Sequence, residues 1–292
     1  MKYAVELENV NKRWRLFRLD NLGFRLPQGE ILGMIGPNGA GKTTTLRILL
    51  DLVRLDSGRV RIFGLDHRRH LLKIKRRVGY VGENPRFYSD KTVAWIGDFA
   101  GGFHTNWDTR IFRKILDDFS LDPTKKVRDL SNGMRVKLHL ALALSHRPEL
   151  LILDEPTAGL DPIIRRELLE RLLRENRESG TSVLISSHIT DDITRIADRI
   201  LFLIQGRSVI HEEKDRLLDS WKRLHFKDGA LGGELVRDLL CFHRGAFGHS
   251  GLTPDFPGLF PLLREGLSRG TVKVENITLD DILIALVKGE DA

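Results

Sequence analysis

Gly36-Pro37-Asn38-Gly39-Ala40-Gly41-Lys42-Thr43-Thr44 is the stretch that decides the fold. A short apolar run, Glu30 to Ile35, comes before it, and a helical pattern begins at Lys42. Strand, glycine-rich turn with Gly-Lys-Thr, then helix is the order of a P-loop. Its glycines let backbone N–H groups close around phosphate oxygens, and the helix N-terminus adds a favourable dipole. Lys42 is placed to reach β- and γ-phosphates, Thr43 to ligate magnesium, and the whole stretch from Gly36 to Thr44 to line the nucleotide phosphates. A chance glycine-rich turn would not carry the strand and the helix on the correct sides.

Working outward, Leu150-Leu151-Ile152-Leu153-Asp154-Glu155 reads as an apolar strand that ends in two carboxylates. In an open α/β sheet, ligands collect outside such carboxyl ends. Asp154 therefore reads as the magnesium-side acid, and Glu155 as the group that polarises a water for attack on the γ-phosphate. Arg59 to Phe63, Val78 to Val81 and Ser182 to Ser186 supply further strands between helical stretches, the alternation of an α/β fold around a mainly parallel sheet. A helix is signposted from Pro162, with Asp161 as its N-cap and Gly180 past its end.

Between about residues 90 and 147 strand signals give way to helical ones, so a helical subdomain is expected within a domain spanning 1–206. Residues 207–292 form a small accessory unit. Gly245 to Pro261 reads there as a long Gly/Pro loop. Thr278-x-x-Asp281 opens a last apolar helix as a capping box.

The chain has 292 residues, 41% of them hydrophobic and 30% charged, which is the composition of a globular protein. No apolar run approaches the roughly 18–20 residues of a membrane span, so no transmembrane segment of its own is expected. Met1 to Glu6 lacks the apolar core of a signal peptide, and Cys241 is the only cysteine, which points to the cytoplasm. The charge of +7 and pI near 9.6 would suit nucleic acid, an anionic membrane surface or an anionic ligand. The densest cluster, Arg68, Arg69, Lys73, Lys75, Arg76 and Arg77, reads as the solvated face of a short helix. Cys241, His243 and His249 match no zinc spacing.

From Val5 to Gly206 the chain resembles the ABC ATPases, a P-loop NTPase family, because further motifs follow in that family's order. Leu130-Ser131-Asn132-Gly133-Met134 resembles the signature loop, set before a helix from Val136 to Ser145. Gly159-Leu160-Asp161-Pro162 resembles the D-loop, His188 stands at the switch histidine, and Trp14 stands at the aromatic that stacks on adenine. Two positions depart from the family pattern: the signature has Asn132 and Met134, and the Q-loop glutamine is Glu83. Both departures, with the final Leu279 to Val287, resemble the branch that pairs with ABC-2 type permeases.

The resemblance implies an antiparallel β part near the N-terminus and ATP with Mg2+ held by Thr43, Glu83 and Asp154. It also implies catalysis by Lys42, Glu155 and His188. Ser131, Asn132, Gly133 and Met134 would complete the site of a second ATPase subunit, the same or a related chain. A separate permease would place the dimer at the inner face of the cell membrane, driving transport in the direction of export. Pro85 to Trp107, rich in Phe87, Tyr88, Trp95, Phe99, Phe103 and Trp107, reads either as the docking surface or as subdomain core. A regulatory nucleotide sensor and a soluble ATPase acting on nucleic acid are the alternatives. The single cassette and the short span between Thr43 and Asp154 speak against the second, so no nucleic-acid partner is expected.

Overall fold

The computed structural model describes residues 2–83, 85–227, 235–236, 239–245 and 248–290. It divides into two compact units, Met1–His211 and Glu212–Ala292. In chain order the first contains β1 (Tyr3–Arg13), β2 (Arg18–Pro27), β3 (Ile31–Ile35), α1 (Lys42–Leu49), β4 (Ser57–Ile62), β5 (Leu65–Asp66) and α2 (Leu71–Lys75). There follow β6 (Val78–Val81), α3 (Val93–Gly101), α4 (Thr109–Asp118), α5 (Asn132–Leu144), β7 (Leu150–Asp154), α6 (Pro162–Ser179), β8 (Ser182–Ser187), α7 (Thr190–Ile196), β9 (Arg199–Ile204) and β10 (Arg207–Glu213).

The central sheet has the order β10-β9-β3-β8-β7-β6, with parallel pairing from β9 through to β6. Every residue of β3, β7 and β8 is buried, as expected of strands covered on both faces. An antiparallel sheet, β2-β1-β4-β5, packs its Val5, Leu7, Leu22 and Phe24 into the same core as Met34 and Leu46. Gln205 and Gly206, both at positive φ, turn the chain from β9 into β10. β10 continues the sheet beside β9, and the first compact unit runs to His211.

Between β6 and β7 the named elements are helical. Thr92 caps α3 by accepting from Trp95 N, Asp108 caps α4 by accepting from Arg110 N and Ile111 N, and Ser131 caps α5 by accepting from Met134 N. The helix expected from Val136 thus starts at Asn132, since Ser131 satisfies an amide of its first turn. Asp161, Pro162 and Gly180 bound α6 as the sequence indicated.

The second unit holds α8 (Lys214–Ser220), β11 (Lys222–Phe226), β12 (Leu240–Gly245), β13 (Gly248–Thr253), α9 (Phe256–Ser268), β14 (Val272–Asn276) and α10 (Leu279–Glu290). Its sheet is antiparallel in the order β12-β13-β11-β14, over a core of Leu224, Phe226, Leu239, Leu263 and Val272. The expected loop from Gly245 to Pro261 is instead largely β13 and the start of α9. Asp255 caps that helix and Pro257 occupies its first turn, where a missing N–H costs nothing. Thr278 and Asp281 exchange hydrogen bonds, Thr278 N to Asp281 Oδ2 at 2.9 Å and Asp281 N to Thr278 Oγ1 at 3.2 Å.

Two histidines sit in the helical part, His146 buried and His139 partly covered. His139 on α5 lies edge-on to Tyr80 and Phe87, and burial pushes it down to about 4. His146 is likewise pushed down to about 4, first by burial and then by His104 stacked 4.1 Å away, while its Nε2 donates to Val78 O at 3.2 Å. Unfolded, both return to about 6.5, so between pH 6.5 and 4 the unfolded chain takes up protons that the folded chain refuses. Stability should be complete above about pH 6.5 and fall as the pH drops towards 4, by about 3 kcal/mol for His139 alone. Urea unfolding at about pH 7.5 and about pH 5 checks this: the midpoint should fall at the lower pH, and fall less in His139→Gln.

Candidate functional site

The site lies where β3, β8 and β7 end side by side. The chain leaves β3 at Gly36, β7 ends in Asp154, and β8 runs through Ser186 and Ser187 to His188. The register sets Asp154 opposite Ser186 and Ile35 opposite Ser187. Three distant stretches of sequence are thereby brought to one edge.

The loop from Gly36 to Gly41 is shaped by contacts that only glycine permits. A Cβ at Gly36 would run into the Leu203 carbonyl, and Gly41 caps α1 at φ 109° with the side chains of Phe17 and Leu19 against it. Lys42 is buried, donating to Gly36 O at 2.8 Å and Pro37 O at 3.4 Å, and it pairs with Glu155 Oε1 at 3.1 Å. The other Glu155 oxygen accepts from His188 N at 3.1 Å and His188 Nδ1 at 2.7 Å. Glu155 sits at φ 48°, a left-handed conformation that its carboxyl contacts and its backbone bond to Ser186 O, 3.1 Å, hold in place.

Asp154 is held by two hydroxyls. Thr43 Oγ1 donates to its Oδ1 at 3.1 Å and Ser186 Oγ at 2.7 Å, while Ser186 Oγ accepts from Glu155 N at 3.1 Å. One serine thus orients both acids. Tyr80 stands beside them, its phenol pushed up by burial first and by the Asp154 carboxylate next.

A cavity of about 490 Å3 opens over the loop, lined by Pro37 to Thr44 together with Leu16, Phe17, Glu83, Glu155 and His188. The oxygen groups of Thr43, Asp154 and Glu83 suit a hard divalent cation. Trp14, expected at the base, is not among the lining residues; Leu16 and Phe17 take that wall, and the Trp14 ring lies tilted 6.0 Å from Phe17. The difference arises because the β1–β2 hairpin turns Phe17 inward against Gly41 and leaves Trp14 partly exposed.

Ser131, Asn132, Gly133, Met134 and Asp161 do not line this cavity either. Asp161 accepts from Ile163 N and Ile164 N as the α6 cap, and Gly133 packs against the Ile164 side chain so closely that a Cβ there would lie 2.5 Å from Ile164 Cδ1. Sequence reasoning missed Ser186, Phe17 and Tyr80. Only Ser186 left a trace, as a hydroxyl near the end of an apolar strand.

The ABC transporter family profile matches residues 19–158. The chain is 37% identical over 226 residues to the uncharacterized ABC transporter ATP-binding protein YhcH of Bacillus subtilis, covering 75% of this chain and 73% of that one. It is 36% identical to the bacitracin transport ATP-binding protein BcrA of Enterococcus faecalis, over 72% of this chain and 69% of BcrA.

The chain belongs to the ABC transporter ATP-binding family.

This ABC ATPase also shares its fold with a solved ATP-binding subunit of an ABC transporter, at TM-score 0.68 and 26% identity, over 74% of this chain and 92% of that chain. A dimeric bacterial ABC transporter cassette matches at TM-score 0.64 and 25% identity, over 72% of this chain and 98% of the other. Among the described residues no helix is long and apolar enough to cross a membrane.

Ser186→Ala should leave the fold intact, since the hydroxyl is lost without altering packing volume. It should lower ATPase kcat about tenfold and raise the Mg2+ concentration needed for half-maximal rate, because Asp154 loses its shorter hydrogen bond. Steady-state ATPase assays across a Mg2+ series check this.

Proposed function

We propose that this ABC ATPase works as one of two subunits that sandwich ATP beneath a separate permease of ABC-2 type, at the inner face of the membrane, and that it drives export. The carrying observation is that Lys42, Thr43, Glu155 and His188 line one cavity while Asp154, behind its wall, is hydrogen-bonded to Thr43, with each acid already oriented by named donors.

In this reading the amides of the loop and Lys42 bind the β- and γ-phosphates, and Lys42 exchanges its contact with Glu155 for phosphate oxygens. Glu155, released from the lysine, accepts a proton from the attacking water, while His188 keeps its carboxylate aimed through Nδ1. Thr43, Asp154 and Glu83 would hold Mg2+, which when bound offsets the charge of the phosphate oxygens. The P–O bond to ADP breaks as the water oxygen bonds to phosphorus. The base rests against the turn of Trp14 and Phe17.

Ser131 and Gly133, absent from the chain's own cavity, are assigned to the nucleotide of the second subunit. Gly133 against Ile164 joins that loop to the helix capped by Asp161, so the D-loop and signature loop move together.

The permease contact is assigned to an apolar groove of about 390 Å3 whose lining includes Leu49, Leu52, Leu71, Ile74, Phe87 and Ala100. Such a groove suits the apolar face of a short helix. The export reading is supported by relatives named for bacitracin transport and, in Streptomyces coeruleorubidus, for daunorubicin resistance (36% identity over 74% of this chain and 68% of that one).

The test is light scattering and ATPase assay on purified Glu155→Gln. Glutamine keeps the shape of the carboxylate it replaces, so folding and ATP binding should persist, whereas turnover should drop by more than about a hundredfold. ATP should convert the variant from monomer to dimer. A variant that stays monomeric with ATP, or that hydrolyses it at the unaltered rate, would overturn the sandwich.

A further inference from the structure

Helix α3 is two-faced. Val93, Ile96 and Gly97 are buried, with Gly97 tight against the Phe112 ring. On the outer side Trp95 and Phe99 are 38% and 43% exposed, Phe103 in the turn just past the helix is 74% exposed, and Tyr88 beside them is 57% exposed. These rings touch one another rather than standing singly. Trp95 and Phe99 stack at 5.1 Å with planes 9° apart, Tyr88 meets both edge-on at 5.8 and 5.7 Å, and Phe103 lies 5.1 Å from Phe99. Four partly exposed aromatic rings in contact leave a few hundred Å2 of apolar surface bare, the size at which a single patch on a soluble protein is often functional.

The charges near the ridge are mixed, with a small cationic excess. The segment 125–128 runs alongside 89–93, with Val93 N donating to Lys125 O, Val127 N to Lys91 O and Arg128 N to Ser89 O. That places Lys125, Lys126 and Arg128 on the stretch of chain next to Lys91, whose Nζ lies 5.4 Å over Trp95. Three acids share this surface: Asp98 on α3 is exposed, while Asp90 and Asp129 lie within ion-pair distance of Lys91 at 3.4 Å and Arg128 at 3.9 Å, which leaves Lys125 and Lys126 as the cationic excess.

Position adds direction. Ala100 and His104 line the groove assigned to the permease, and Phe99 and Phe103 each precede one of them by a single residue. A permease segment seated in that groove comes from the membrane, so the ridge beside it faces the same way.

We propose that the Tyr88, Trp95, Phe99 and Phe103 ridge, with its lysine and arginine rim, is a contact for the headgroup region of an anionic lipid surface. The proposal rests on the permease reading for its direction and on the ring and charge pattern for its chemistry. Aromatic rings of this kind partition to the headgroup level of a bilayer, and lysine or arginine near an anionic leaflet strengthens the attachment. The ridge would then hold the ATPase against the membrane beside its permease.

The full chain, mixed with vesicles of phosphatidylcholine alone or with a quarter phosphatidylglycerol, tests this by co-sedimentation and tryptophan emission. Binding to the anionic vesicles should exceed binding to the neutral ones by about tenfold or more, and fall with salt. Emission should shift to the blue, and the shift should vanish in Trp95→Phe. The triple variant Trp95→Ser/Phe99→Ser/Phe103→Ser should lose attachment, and Lys91→Gln/Lys126→Gln/Arg128→Gln should lose the preference for anionic lipid.

Equal binding to both vesicle types, or binding that survives the triple variant, would overturn the proposal. So would binding seen only when a permease is present in the vesicle, which would make the ridge a protein contact. ATP-driven dimerisation of Glu155→Gln, measured on the same preparation without lipid, separates failure of this inference from failure of the transporter reading.

Discussion

The parallel register of β7 on β8 is the constraint from which the site follows. It sets Asp154 opposite Ser186, so a single hydroxyl accepts from Glu155 N and donates to Asp154 Oδ1. With the acids so placed, β3 on the other side of β8 delivers the phosphate loop, and Lys42 and Thr43 reach one carboxylate each. A slip of one residue along β8 would turn Ser186 to the opposite face and separate the two acids from their donors. The buried apolar runs of all three strands oppose such a slip, because every residue in them has its place in a covered sheet.

Charge is balanced locally within this arrangement. Lys42 and Glu155 are both buried, and each would be costly to bury alone. Their mutual contact and the two His188 donors satisfy the carboxylate, while the Gly36 and Pro37 carbonyls satisfy the ammonium. A polyanion entering the cavity competes for Lys42 and so frees one oxygen of Glu155. Binding of the phosphates and preparation of the base are thereby coupled through one ion pair. The left-handed φ of Glu155 fits a residue whose position is imposed by its surroundings.

The helices between β6 and β7 present two chemically different surfaces. One is the apolar groove in which Phe87, Ala100 and His104 take part, and the other is the aromatic ridge on the adjoining line of α3. His139 joins the groove to the interior, lying against both Tyr80 and Phe87. Tyr80, Glu83 and Asp154 in turn line one cavity beside the nucleotide site. Contacts made at the groove therefore bear on residues that stand next to the acids.

Much of this was legible in the sequence wherever the physics is local. A P-loop needs only a strand, glycines and a helix start in succession, and the Asp161-Pro162 cap and the Thr278 to Asp281 box need only a few neighbouring residues. Asp154 and Glu155 were recognisable because two carboxylates at the end of an apolar run are otherwise costly. What depends on pairing between distant segments was not legible. Ser186 gains its role from a strand register, and Phe17 lines the cavity beside Trp14 because a hairpin turns its ring inward against Gly41. The glycines and prolines of 245–261 read as loop until β13 paired with β11 and α9 took Pro257 into its first turn. The sequence by itself determined the phosphate-binding chemistry, since that chemistry is carried by adjacent residues. Only the tertiary structure decided which side chains orient the acids and which rings are left outside, since those follow from burial and register across the whole fold.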